Sequence, residues 1–158
     1  VNLRLLRKIV AKFLKHLAQE GSFDIGIYLV AAPEIVRLNE AFLKHKGPTD
    51  VISFDYSEKR GAASRAPEPF PALLHGEVFV CVDEANAQSK EFRTSWQSEL
   101  TRYIVHGILH LQGYDDLTAA DRREMKREEN RLLRQLSGEF ELAKLALSRR
   151  VRTPKLPG

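Results

Sequence analysis

Apolar residues recur at intervals of three and four through Leu6, Ile9, Val10, Phe13 and Leu17. That spacing predicts a helix with one greasy side, opposite a stripe of Arg4, Lys8, Lys12 and Lys15. Gly21 is placed to end it. DIGIYLV then reads as a strand. APEIVRLNEAFLK returns to helical spacing, with Pro33 and Glu34 suited to a first turn and Ile35, Leu38 and Phe42 directed inward. HKGPTD is a turn, and VISFDY after it is short, β-branched and aromatic. Residues 57–75 carry charges and three prolines with little periodicity, the pattern of a long surface loop. GEVFVCVD is the most strand-like stretch, and EANAQSKEF opens a helix. From Trp96 a further helix runs through QSELTRYIVHGILHLQ to a stop at Gly113, with Leu100, Ile104, Ile108 and Leu111 as its inward stripe. TAADRREMKREENRLLRQL is the last helix, capped by Thr118 or Asp121.

Helices and strands are interspersed, with too few crossovers for a doubly wound sheet. The expected class is α+β: a small mixed sheet of about four strands covered by helices. A chain of 158 residues that is 43% hydrophobic can bury one ordinary core. One domain is expected over residues 1–138, followed by a basic, partly disordered tail over 139–158 that holds Pro154 and Pro157.

The single cysteine, Cys81, sits in VFVCV, which rules out an intramolecular disulfide and suits a buried thiol. No apolar run approaches the roughly 20 residues that cross a bilayer, and cations interrupt the first segment throughout. A cytoplasmic protein is the expectation. Lys and Arg total 25 against 21 Asp and Glu, giving a net charge of +4 and a pI near 9.3. That balance modestly favours polyanions, with the first helix and SRRVRTPK as candidate phosphate contacts.

Chemistry concentrates in HGILHLQGYDD, residues 106–116. His106 and His110 lie four apart, so both imidazoles project from one helix face and can share an ion such as zinc. Histidines so spaced also occur with purely local hydrogen bonds. The glycine and the acid that follow narrow the choice. Gly113 can take a left-handed conformation and turn the chain back, which places Asp116 as a third ligand. Three protein ligands leave a coordination position open, as in hydrolytic rather than structural zinc sites. Zinc peptidases of the HExxH kind need a glutamate where this chain has Gly107. Candidates for proton transfer are Asp115 and Glu99, although Asp115 equally suits a turn or a histidine-steadying role.

HGILHLQGYDD resembles the HGxLHLxGYDH signature of the YbeY family of bacterial endoribonucleases. LNEAFLKHKGPTDVISFDY is similar to that family's LNxxFRxxxxPTDVLSF segment, and GEVFVCVDEA to its LGDIxIxxExA strand. Together they span residues 38–116 in the family's order. The resemblance implies a metal-dependent, single-strand-specific endoribonuclease for 16S ribosomal RNA 3′-end maturation and ribosome quality control. It also implies ribosomal RNA and ribosomal subunits as partners, one zinc or other divalent ion at His106, His110 and Asp116, and a groove beside the metal lined by the PTDVISF strand.

Two positions depart from the pattern. Asp116 stands where the family has a third histidine, which adds negative charge and favours harder metals. Leu43 stands where the family has an arginine expected to hold phosphate, leaving Lys44, His45 or Lys46 as imperfect substitutes. The loss at Leu43 supports a second reading, a ribosome-assembly factor that binds pre-rRNA or a ribosomal protein and keeps a mainly structural metal.

Overall fold

The computed structural model describes residues 1–18, 22–57 and 73–147. Helix α1 (Leu3–Ala18) precedes strand β1 (Ser22–Val30), and α2 (Ala32–Leu38) runs on into a π-helical turn, Asn39–Leu43. Strands β2 (Val51–Asp55) and β3 (Leu73–Cys81) follow. Helices α3 (Val82–Glu91), α4 (Trp96–Leu111) and α5 (Ala119–Glu139) and a 3₁₀ turn at Leu142–Leu145 complete the order. In the sheet β3 is central, parallel to β1 and antiparallel to β2.

The α+β class holds, with three strands among the described residues where about four were expected. The chain has only three β-branched, aromatic runs, and three strands backed by helices suffice for a stable sheet. Strand β3 also takes Leu73, Leu74 and His75 from the stretch expected to be loop, because Leu74 is fully buried and pairs with β1. Residues 58–72 of that expected loop, the Gly21 helix stop and the basic SRRVRTPK segment lie outside the described residues.

Side-chain alternation decides how the layers pack. One sheet face carries Ile25, Ile27, Leu29, Val51, Leu74, Val78 and Val80 into the main core, together with Leu6, Ile9 and Phe13 of α1. The other face sends Ile52 and Cys81 against Ile35 and Leu38 of α2. Cys81 is thus a buried thiol, as expected. Phe42, expected to face inward, is 63% exposed. The π turn beginning at Asn39 changes the residues per turn and rotates position 42 off the buried stripe, leaving its ring edge-on to Phe54.

Packing continues beyond α5. Leu145 is fully buried in the main core, and its carbonyl accepts a hydrogen bond from the Asn2 amide at 2.8 Å. Residues beyond 138 therefore help to close the core over α1.

Helix α4 is the centre of the molecule. Its expected stripe, Leu100, Ile104, Ile108 and Leu111, is buried, and so are Tyr103, Val105 and Leu109 on other sides. Gly107 is a point of close approach to the sheet. A Cβ at that position would lie 2.5 Å from Val78 Cγ1, 3.0 Å from Ser53 Oγ and 3.1 Å from Val51 Cγ2. The Ser53 hydroxyl donates to the Gly107 carbonyl at 3.1 Å, fixing strand to helix. A glutamate at 107 has no room, which gives the missing HExxH acid a packing reason.

Gly107→Ala tests this packing. Alanine gains about 1 kcal/mol in helix propensity, but overpacking a close-packed layer typically costs about 1–3 kcal/mol or more. The clash involves three neighbours on two strands, so it should win. The expected result is a lower urea midpoint with an unchanged slope; an equal or higher midpoint would show that the layers can separate freely.

Candidate metal centre

Helix α4 ends in a Schellman motif. The Tyr114 amide donates to the Leu109 carbonyl and the Gly113 amide to the His110 carbonyl, both at 3.0 Å, with Gly113 at φ +102°. The chain thereby doubles back, as the glycine suggested. Asp116 arrives beside the last turn, and a carboxylate oxygen lies 3.9 Å from His110 Nε2. One ligand atom from each of His106, His110 and Asp116 lies within 4.8 Å of the others.

The two imidazoles are aimed by their far nitrogens. His110 Nδ1 lies 3.1 Å from the Tyr114 carbonyl oxygen. A carbonyl can only accept, so Nδ1 carries the proton and Nε2 is left bare. His106 Nδ1 lies 3.1 Å from a carboxylate oxygen of Glu129, which fixes the same tautomer. Nε2 of each ring therefore presents a lone pair, and these atoms face each other at 3.0 Å. Two lone pairs at that distance repel unless a cation lies between them. Tetrahedral zinc with bonds of about 2.0–2.1 Å sets its nitrogen ligands roughly 3.3 Å apart, close to the spacing seen. A proton is a poor substitute, because burial and the adjacent His106 push the His110 imidazole below its ordinary range, against the opposing pull of Asp116 and Asp115. The donor set fits a divalent metal.

Glu129 was not singled out by the sequence reading. Its side chain is only 5% exposed and also pairs with Arg102 Nη1 and, at 3.1 Å, with Lys126 Nζ. Burial alone would raise this carboxyl, but hydrogen bonds from His106 and Arg102 and the charge of Lys126 outweigh it and hold it at about 2. It is therefore ionised and a firm acceptor. A signal existed in the sequence. Met125, Leu132 and Leu136 are buried on α5, and Glu129 falls between them at helical spacing, an acid inside an apolar stripe.

The proton-transfer candidates fare differently. Asp115 is exposed and accepts from the Asp116 amide at 2.7 Å, so it shapes the turn. Glu99 is 4% exposed; it accepts from the Thr94 hydroxyl at 2.5 Å and lies 3.7 Å from Arg102 Nε. Of the two cap candidates Thr118 is the N-cap of α5, and Asp121 completes a reciprocal capping box with it.

His106 and Asp116 line a cleft of about 570 Å³ whose lining also includes Asp50, Phe92, Glu99, Arg102, Arg122 and Lys126. Asp50 stands at the start of β2, so the PTDVISF strand reaches the cleft with its first turn. Leu43 does not line it, and neither do Lys44, His45 or Lys46. Among the described residues, the cations that line the cleft come from α4 and α5. Arg122 Nη1 is held by the carbonyls of Asp116 and Leu117 at 3.0 and 2.9 Å, whereas Lys126 is 59% exposed.

The model of the family described as endoribonuclease YbeY matches residues 2–137. The endoribonuclease YbeY of Salinibacter ruber is 38% identical over 109 residues, 69% of this chain and 68% of that protein. Its counterpart from Desulfitobacterium hafniense is 33% identical over 134 residues, 84% of this chain and 83% of that protein. The solution structure of a Thermotoga maritima protein superposes with a TM-score of 0.63 at 25% identity, covering 96% of this chain and 93% of that one.

Proposed function

Because this chain belongs to the endoribonuclease YbeY family, we propose that the cleft beside α4 is the active site of a metal-dependent endoribonuclease. Its substrate is single-stranded ribosomal RNA, processed in 16S 3′-end maturation and ribosome quality control. The observation that carries the metal is the pair of bare Nε2 atoms facing each other at 3.0 Å with Asp116 beside them. When bound, a divalent ion supplies Lewis acidity toward a phosphodiester and toward water.

The chain's own residues define the rest. His106, His110 and Asp116 would hold the ion and leave its cleft side open to substrate. Lys126, exposed at the rim, and the donors of Arg122 not used on backbone carbonyls attract RNA phosphates. Arg4, Lys8 and Lys15 are exposed along α1 as a separate basic stripe. Lys12 is tied to Glu139 at 3.6 Å. Asp116 in place of an imidazole leaves the bound ion less positive, which favours oxygen-loving ions over zinc more than three histidines would. Among the described residues no helix is long and apolar enough to cross a membrane, and a lone buried thiol suits a reducing cytoplasm.

Cleavage of a fragment carrying the 3′ end of the small-subunit RNA tests the reading. Chelation should abolish cleavage, and added zinc or manganese should restore it. Asp116→Ala should lower the rate by about 100-fold or more while leaving far-ultraviolet dichroism unchanged. Undiminished cleavage after chelation would remove the metal from the reaction. Absence of cleavage with every metal, alongside intact binding to ribosomal particles, would instead favour the assembly factor that Leu43 suggested.

A further inference from the structure

Phe92 is 61% exposed and lines the same cleft as His106 and Asp116. Isolated exposed aromatic residues are common and need no explanation. The backbone that carries this one is held in place. Its amide caps α3 through the Gln88 carbonyl at 2.9 Å, and Arg93 after it adopts a left-handed φ of 56°. Thr94 then ties the loop back to α3 through the Ser89 carbonyl at 2.9 Å and to α4 through Glu99 at 2.5 Å. A non-glycine residue in the left-handed region carries a backbone cost, sustained here by hydrogen bonds on both sides. The ring therefore stands at the rim on a braced loop.

Arg122 and Lys126 line the same cleft, and so does Arg102, whose side chain is 25% exposed against 59% for Lys126. An exposed aromatic ring sharing one cleft with cations, in a space within the usual range of about 300–1,000 Å³ for ligand sites, matches the chemistry of an unstacked nucleotide. The base stacks while its flanking phosphates meet the cations. We propose that Phe92 is a base-stacking platform that receives the base of a nucleotide flanking the cleaved bond, and so helps to impose the single-strand requirement. A paired base is already stacked on its neighbours and cannot be offered to the ring. Every base has a π face, so the subsite discriminates strand state more than sequence. This inference rests on the ribonuclease reading of the same cleft.

The test uses the full chain, kept metal-free by chelation so that nothing is cut, and a fluorescein-labelled single-stranded oligoribonucleotide read by anisotropy. Phe92→Ala is expected to weaken binding by about 5- to 100-fold, and Phe92→Trp to bind like the parent. The new indole should also be quenched by RNA beyond any change from Trp96, the parent's own tryptophan. Oligonucleotides with one abasic site, moved along the strand, should show one position at which the parent loses its advantage over Phe92→Ala. Equal binding of parent and Phe92→Ala to the intact strand would overturn the platform and leave the nuclease reading standing. Failure of the parent itself to bind or cut single-stranded RNA would instead remove the nuclease reading, and the platform with it.

Discussion

His110→Ala should reduce RNA cleavage by at least about 100-fold and weaken divalent-metal binding by more than the roughly 10–100-fold typical of residues that only steady a ligand. The fold should survive. His110 lies on a half-exposed face of α4, and the variant loses one hydrogen bond, from Nδ1 to the Tyr114 carbonyl. That bond is worth about 0.5–1.5 kcal/mol net, against a typical domain stability of about 5–15 kcal/mol. Far-ultraviolet dichroism and thermal unfolding of the metal-free protein should therefore change little while metal affinity falls steeply. Calorimetric metal titration at pH 7 separates the two effects. Parent-like affinity in the alanine variant would mean that the facing imidazoles hold no ion, and the proposed reaction would lose its centre.

The elements around that residue were legible because they depend on local rules. The i, i+4 spacing of His106 and His110 and the left-handed bend at Gly113 are properties of a helix and its end, and Thr118 with Asp121 announces the next start. Each of the three strands is a run of β-branched and aromatic side chains that needs no distant partner to be recognised. What could not be read depends on tertiary context. Phe42 has helical spacing from Leu38, but the π turn rotates it outward. Glu129 comes from another helix, 23 residues beyond His106, and becomes meaningful only once α5 lies against α4. Gly107 looked like an absence of catalytic glutamate; its cause is the distance between α4 and the sheet. Cations at the cleft were sought near Leu43, whereas α4 and α5 supply them, since a motif gives sequence order and not which faces meet.

Glu129 carries the second large effect. Glu129→Gln keeps the shape but removes the charge that faces His106, Arg102 and Lys126. Breaking one side of a fully buried ion pair costs about 3–5 kcal/mol; the cost here falls below that, because Arg102 keeps Glu99 at 3.7 Å and Asn130 at 3.0 Å. Lys126, which is 59% exposed, is indifferent, whereas Arg102, at 25%, is not. A lower melting temperature is expected together with a roughly 10–100-fold loss of metal affinity, since the carboxylate orients the His106 ring. Stability and affinity can then be separated. In a triple variant, Arg102→Met with Glu129→Leu and Glu99→Gln, the pair is replaced by apolar groups, which is often neutral or stabilising, and Glu99, which would lose its Arg102 partner, carries no charge. Melting temperature should recover toward that of the parent. Metal affinity should not, because nothing remains to accept the proton on His106 Nδ1. Recovery of both by the apolar pair would show that Glu129 serves packing alone and leaves His106 to orient itself.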